Sequence, residues 1–588
     1  MRGSVFLLVA IYSLPELLLG ANTSLFETSD QCATCHSSDS TTMVDKNGVS
    51  LSVYHDWGST MMGNSLRDPL FQAKVESEVL RNPHLESVIE DKCTTCHAPL
   101  ARTQAHWDGA EHYSMPDALM SDLARDGVSC TLCHQIQAGN LGTDESFSGG
   151  YLVDDSRMIF GPYKDVFANP MVNQLNYRPV FGDQTHKSEL CATCHTLFTP
   201  YVDDAGEVVG IFPEQTPYLE WLNSRYGAKG AGYTPCQDCH MPKLNEQIKI
   251  SRRPPSFSQT QTPFWKHHFV GGNTFVLGLL KENAAQLGVM ASVSQFDTTI
   301  ERTEKQLTSS TAVLEVVSIT KGSEKISITL SVQNLTGHKL PTGFPSRRMW
   351  ILFRATDTSG KTLIDSGSWD DSYEVIGLDG DFEPHHNVIN SSEDVQVYEA
   401  VMGDVNGNMT HTLLRASEYL KDNRLPPVGF KSDGPGYEHT SVYGVASNDD
   451  DFNKDADGEG TGSDLVTYEI PADAVSWPVH IQAVLLFQTP MPRFVQDLPN
   501  GGVAAERFLS LYAEAANVPT VISSLSIEVP AAPANLDSSG RVDFSDFALL
   551  AAHWLSTECD QCSTADLLAD GIIDYGDLEE FVRNWLKH

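Results

Sequence analysis

The 588-residue sequence is short of positive charge: 39 Lys and Arg stand against 77 Asp and Glu, a formal net charge of -38 at pH 7. Phosphate backbones are bound by clustered Lys and Arg, so this balance excludes nucleic acid as an expected partner. The acid excess fits an exported soluble chain, repels anionic lipid and favours calcium or cationic redox partners. Long apolar runs are also missing. Beyond the N-terminus no stretch reaches 18 apolar residues, so no transmembrane segment is expected after the leader is removed. That leader begins with Arg2 and runs apolar from Val5 to Leu19, interrupted by Pro15 and Glu16, with the small residues Gly20 and Ala21 behind it. A basic region followed by an apolar one is the pattern of a secretory signal, here residues 1–21, and predicts a periplasmic or extracellular protein. The length is too great for one core and predicts three or four units.

Cysteine is scarce too, 12 in all, yet ten of the 12 fall in five copies of one pattern: CATCH at 32–36, CTTCH at 93–97, CTLCH at 130–134, CATCH at 191–195 and CQDCH at 236–240. At this composition chance yields about 0.01 such matches. Cys-x-x-Cys-His is the attachment motif of c-type haem: two thiols add to the porphyrin vinyl groups and the adjacent imidazole binds the iron. Disulfides alone give no reason for a His after every pair. Five pairs with five fixed His fit no tetrahedral zinc arithmetic. A thioredoxin-like reading lacks its strand–helix context. The expected thioether positions are therefore Cys32, Cys35, Cys93, Cys96, Cys130, Cys133, Cys191, Cys194, Cys236 and Cys239, and the proximal ligands His36, His97, His134, His195 and His240.

The motifs start 61, 37, 61 and 45 residues apart, close enough for neighbouring haems to form a path for electrons. Segments between them are rich in Pro, Gly, Asn and Asp, with short amphipathic stretches such as 69–80 and 117–125. Five flat apolar cofactors would supply the missing core, so haem loading should be needed for folding. A sixth ligand of His or Met makes an iron an electron carrier, whereas an open position permits substrate chemistry. Outside the motifs this region offers His55, His84, His106, His112, His186, His267 and His268, and Met61, Met62, Met115 and Met241. The preferred distal set is Met62, His112, His186 and His268, with His338 from the next unit as a fifth.

The stretches WGSTMMGNSLRDP at 57–69, CHMP at 239–242 and HHFVGGN at 267–273 resemble multihaem cytochromes of the tetrahaem-cytochrome and hydroxylamine-oxidoreductase-like superfamily. The resemblance spans about residues 28 to 290. It implies a distal His or Met from the first element, by position Met62, and a distal His from the last, by position His268. Relatives carry His in the first element where this chain has Met61 and Met62, and Met ligation raises an iron's potential. No Cys-x-x-Cys-Lys replaces a haem histidine, so the resemblance implies electron transfer rather than catalysis.

From about 310 to 530 alternating apolar runs separated by Gly, Asp and Asn turns predict an antiparallel β-sandwich. Its segments 334–351 and 420–430 resemble a module appended to other multihaem cytochromes. The loop 451–464 spaces Asp451, Asn453, Asp455 and Asp457 two apart, an arrangement that can gather oxygen ligands for calcium. After the linker VPAAPA, residues 535–588 hold two similar halves, each an EF-hand-like loop and an amphipathic helix. The first places Asn535, Asp537, Ser539, Asp543 and Asp546 as calcium ligands; the second places Asp566, Asp570, Asp574 and Asp577, with Leu568 costing it one ligand. Paired loops of this size resemble type I dockerins, which implies a cohesin-like partner. Cys559 and Cys562 between the halves, followed by Ser563, suit a local disulfide rather than haem.

The expected fold is therefore multidomain: a mainly α and irregular pentahaem cytochrome over 22–300, a central antiparallel β-sandwich over 310–530, and a small α dockerin-like domain over 535–588. The expected function is extracytoplasmic electron transfer through five haem c groups to redox partner proteins, with the tail as a tether to a partner or scaffold. The alternative is an oxidoreductase acting on a small nitrogen or sulfur compound at one open haem.

Overall fold

The computed structural model describes residues 25–227, 232–322, 324–378, 380–472, 475–530, 534–537, 539, 541–556, 565–568 and 572–585. The leader over 1–21, Cys559, Cys562 and Asp570 lie outside the described residues. The chain is multidomain, with helices and several antiparallel sheets. Among the described residues no helix is long and apolar enough to cross a membrane.

The N-terminal region is built of short helices, each starting where the sequence provides a cap. Asp68 accepts hydrogen bonds from the backbone N–H of Leu70 and Phe71, and Pro69 occupies the first turn of the helix Pro69–Arg81. The stretch 117–125 divides into Met115–Met120 and Asp122–Arg125, because Ser114 and Ser121 each cap a new start. The motifs sit on short helices: Ser29–His36, Glu86–His97, Cys130–Cys133, Ser188–His195 and Cys236–His240. A Cys-x-x-Cys turn on a helix brings both thiols to one side, with the His directly after them.

Two sheets face each other in the middle of the chain. One has the order Val388–Ile389, Ser463–Pro471, Lys325–Asn334, Ala312–Lys321; the other runs Met409–Thr410, Val397–Gly403, Arg348–Asp357, Val479–Gln488, Thr520–Val529. Pairing is antiparallel except between Val388–Ile389 and Ser463–Pro471. Alternation sets the core: Ile326, Ile328, Leu330 and Val332 of one strand are fully buried, and Phe353 stacks on Tyr468 across the sheets at 3.9 Å.

The helical layer does not end where the sandwich pattern begins. Segment 490–515 turns helical, and its helix Val503–Glu514 packs on Pro69–Arg81, where Glu76 accepts from the Ala505 N–H at 2.8 Å. Leu70, Ala73, Leu277, Leu280, Phe494 and Phe508 share one apolar cluster. The helix Val293–Ser310 joins the layers, with Phe296 in that cluster and Leu307 in the sandwich core. At the C-terminus the helices Phe544–Ala552 and Tyr575–Asn584 each begin with a capping box, Asp543 with Asp546 and Asp574 with Asp577.

Candidate functional site

One cavity of about 1460 Å³ runs through the N-terminal region and is lined by all ten motif thiols and all five motif histidines. It exceeds the roughly 300–1,000 Å³ of a pocket for one small ligand. None of the ten is paired in a disulfide. They meet between motifs: Cys32 with Cys130, Cys96 with Cys194, and Cys191 with Cys236 are within hydrogen-bonding reach, and Cys133 lies beside Cys194. In space the first motif therefore adjoins the third, the third adjoins the fourth, and the second and fifth both adjoin the fourth. Gly149 sits in the joint between the second and fourth. Its N–H donates to the Thr193 carbonyl at 2.6 Å, and a Cβ on it would lie 2.1 Å from the Thr95 methyl.

The motif imidazoles are oriented by backbone. Nδ1 of His36 donates to the Ile250 carbonyl at 2.9 Å, His97 to Ser65 at 3.2 Å, His134 to Phe160 at 2.6 Å and His240 to Val270 at 2.5 Å. A carbonyl only accepts, so in these four rings the proton is on Nδ1 and the Nε2 lone pair is left for a metal. Burial disfavours the imidazolium and holds His97 and His195 at about 4, so both rings are neutral at pH 7. His195 is within electrostatic reach of His240, Arg347, His97 and His338.

Two further imidazoles stand opposite motif rings. His267 faces His134 and His338 faces His240, each pair with ring centroids 6.4 Å apart and planes within 19°. Two metal–nitrogen bonds of about 2 Å and the ring radii account for roughly 6 Å, so each gap fits one metal ion held from both sides. His267 comes from an irregular segment, 266–273, whose Val270 carbonyl also holds His240. Phe269 in it has φ +42°, a left-handed bend that turns the chain between these two tasks.

The sequence-derived ligand set fares unevenly. His338, His186 and Met62 line the cavity. His186 has its Nε2 buried without a hydrogen-bond partner, and its ring lies 4.6 Å from Trp265. His268 is turned the other way: the cavity wall contains its neighbours His267 and Phe269, while its Nε2 stands 3.8 Å from Asp56. His112 is exposed and lies in a separate shallow pocket with His106, because the next residue, Tyr113, is the one directed inward, its N–H donating to Asp91 at 2.9 Å. Successive residues of extended chain face opposite ways, and a one-position choice inverts the outcome. Of the remaining rings, His84 is bonded to the Gly206 carbonyl, His106 to Asp91, and His55 packs beside Tyr54. Met61 and Met241 line the cavity and Met115 is buried in a helical core.

His338 is carried in by the loop between Lys325–Asn334 and Arg348–Asp357. Its carbonyl accepts from Asn334 Nδ2 and Thr336 Oγ1, and its Nδ1 donates to the Lys339 carbonyl at 3.0 Å. Beneath it Lys339 Nζ pairs with Asp422 at 2.7 Å, Arg424 forks onto Asp422 at 2.8 Å, and Arg424 also reaches Glu220 at 3.1 Å. The two acids and two bases balance in charge and are almost fully buried. They fasten the helix Pro217–Leu222 to the sandwich directly under the His338 loop.

No family model matches the chain, and no curated protein does. The crystal structure of a penta-heme cytochrome c552 from Thermochromatium tepidum is similar at 16% identity and a TM-score of 0.46, over 86% of this chain and 100% of that chain. At that TM-score the likeness assigns no residue here, and the cavity itself must carry the chemistry.

In the tail, Asp546 accepts from the N–H groups of Leu536, Asp537 and Asp543, and Asp577 accepts from Leu567, Leu568 and Asp574. Asn535 is buried with both side-chain polar atoms unpartnered. Asp537 and Ser539 are joined by hydrogen bonding within the loop. The loop 451–464 departs from its expected alternation. Asn453 spends its side chain on the Phe430 carbonyl and the Gly462 N–H, and Lys454–Asp455 pairs with Gly458–Glu459 as a hairpin.

Proposed function

We propose that this chain binds five c-type haems, one per Cys-x-x-Cys-His, and passes electrons among them outside the cytoplasm. The observation that carries the reading is the single cavity in which ten thiols converge with five imidazoles, four of them oriented through Nδ1 to present Nε2. Haem supplies reversible one-electron exchange when bound. The chain contributes the rest. Its thiols anchor each group covalently, its backbone carbonyls set ring tautomer and basicity, and its apolar walls exclude water. With haem bound, His267 and His338 would hold the irons of the His134 and His240 motifs from the other side, and His186 and Met62 are the further candidates that line the cavity. The contacts between motifs make the path branched, with the fourth motif as its junction.

Haem quantitation with intact-mass measurement tests this directly: five covalently attached haems are expected, and fewer on a fully matured chain refutes the assignment. The tail is read as a calcium-stabilised dockerin-like module that tethers the protein to a cohesin-like partner, supported by the two capping boxes and the unpartnered Asn535. Calcium-dependent binding of the full chain to a cohesin panel tests it, and loss of all binding in calcium overturns it.

One observation favours oxidoreductase activity as a second reading. Arg347 lines the cavity within electrostatic reach of His195, its Nη1 donating to the Thr342 and Gly343 carbonyls. A half-buried cation beside one motif histidine suits a small oxyanion of nitrogen or sulfur. A high-spin ferric signal assignable to the His195 haem supports this reading, and five six-coordinate low-spin irons end it.

A further inference from the structure

A cluster of acids in the sandwich lies outside the lining of the motif cavity. Asp449 and Asp451 follow the short helical turn Val445–Asn448, Asp464 is the second residue of the strand Ser463–Pro471, and His385 comes from the crossover before Val388–Ile389. The side chains of His385, Asp449 and Asp464 are 1, 2 and 0% exposed, and their ligand atoms all lie within 4.8 Å of one another. Asp451 adjoins them at the rim: its N–H donates to Asp449 Oδ1 at 3.0 Å, and its carboxylate accepts the Leu465 N–H at 3.3 Å. Asp464 Oδ2 accepts from Tyr398 Oη at 2.6 Å and from Gln396 Nε2 at 3.1 Å, but its Oδ1, fully buried and 3.9 Å from His385 Nε2, has no partner. Burial, with the charges of Asp449 and Asp451 behind it, pushes the Asp464 carboxyl up. Like charges this close need a proton or a cation between them.

The hydrogen-bond network decides what kind of cation. Nδ1 of His385 faces two amide nitrogens, Gln396 Nε2 at 2.8 Å and Asn423 Nδ2 at 3.1 Å. Neither amide can be turned. Gln396 Oε1 accepts the His386 N–H, and Asn423 holds the Glu399 N–H with its oxygen and the Val397 carbonyl with its nitrogen. Nδ1 is therefore an acceptor, and the ring proton resides on Nε2, which donates to Asp449 Oδ2 at 2.9 Å. That ring can orient a carboxylate but has no lone pair to offer a metal on this side. The nearby ammonium groups are engaged elsewhere: Lys421 with the Glu383 and Val397 carbonyls and Glu399, Lys454 with the Ser447 and Asp449 carbonyls.

We propose that Asp449, Asp451 and Asp464 hold one hard divalent cation, calcium by its all-oxygen donor set, with His385 as a positioning residue that orients Asp449. The ion ties the start of the hairpin 452–463 to its end. That hairpin is bonded through Gly460 to Gly429, and the neighbouring Val428 carbonyl accepts from Arg225, so the site braces the wall beside the His338 loop. This calcium is separate from any bound by the tail, and the proposal does not depend on the haem assignment.

The test uses the full haem-loaded chain with the tail loops silenced by Asp546→Asn and Asp577→Asn, dialysed against buffered calcium and assayed for bound metal. One calcium per chain is expected to remain, to vanish with Asp464→Asn, and to bind at least tenfold more weakly with Asp451→Asn, a rim position where Asn keeps an acceptor for the Leu465 N–H. His385→Gln, which keeps a donor toward Asp449, should retain the ion, while His385→Ala should weaken it. Zinc offered alone should not occupy the site. No calcium on the tail-silenced chain, an unchanged affinity in Asp451→Asn, or preferential zinc binding each overturns the proposal.

Discussion

The choice between His267 and His268 can be decided by substituting each in turn. The His267 and His134 centroids are 6.4 Å apart, a gap filled by one metal with a bond of about 2 Å to each ring. Ala at 267 withdraws the ring and leaves nothing from that segment to reach across, so one of five irons should lose its sixth ligand. In ferric absorption and electron paramagnetic resonance, about a fifth of the low-spin signal should convert to high-spin, with the remaining four irons unchanged. Met at 267 should keep that iron low-spin and raise its potential. His268→Ala should leave every spin state as it was, because that ring stands 3.8 Å from Asp56 and outside the cavity wall. Burial with the charges of Arg302 and Lys266 holds His268 at about 3, so the ring is neutral and its loss removes a weak contact rather than a salt bridge. A low-spin His267→Ala protein, or a high-spin signal in His268→Ala, would refute the assignment of His267 to the His134 iron.

Lys339→Ala leaves Asp422 buried with one base too few and should cost about 3–5 kcal/mol in denaturant unfolding, with loss of the low-spin signal from the His240 iron. Gly149→Ala demands a side chain at φ +84° and 2.1 Å from the Thr95 methyl, so it should destabilise by about 1–3 kcal/mol and alter the redox coupling between the second and fourth haems in potentiometric titration. Glu214 is buried against Thr199, and burial pushes its carboxyl up from 4.5 to about 7. A raised carboxyl favours the fold fully below 4.5 and loses that advantage as pH rises through 7, so Glu214→Gln should be more stable than the parent by about 3 kcal/mol at pH 8 and equal to it at pH 4. Equal unfolding free energies at both pH values would contradict that account.

The five motifs were legible in the sequence because each is local: two thiols and a His within five residues on one helical turn need no tertiary context to be recognised. The alternation of Ile326, Ile328, Leu330 and Val332 likewise announced a half-buried strand, since side-chain period and burial are the same fact. Groups opposite the motif histidines come from far along the chain, as His338 does to His240, and no local pattern records that meeting. Where the segment is irregular, as at 266–270, sequence narrows the ligand to a pair of histidines and only the bend at Phe269 selects one. The order of motifs in space, with the fourth adjoining the second, third and fifth, could not be read from spacings of 61, 37, 61 and 45 residues, because chain length bounds a separation without directing it. Asp451 was legible as one oxygen donor of an acidic loop, whereas the meeting of the buried Asp449 and Asp464 with His385 was not, because separate segments supply them and only the sandwich brings them together.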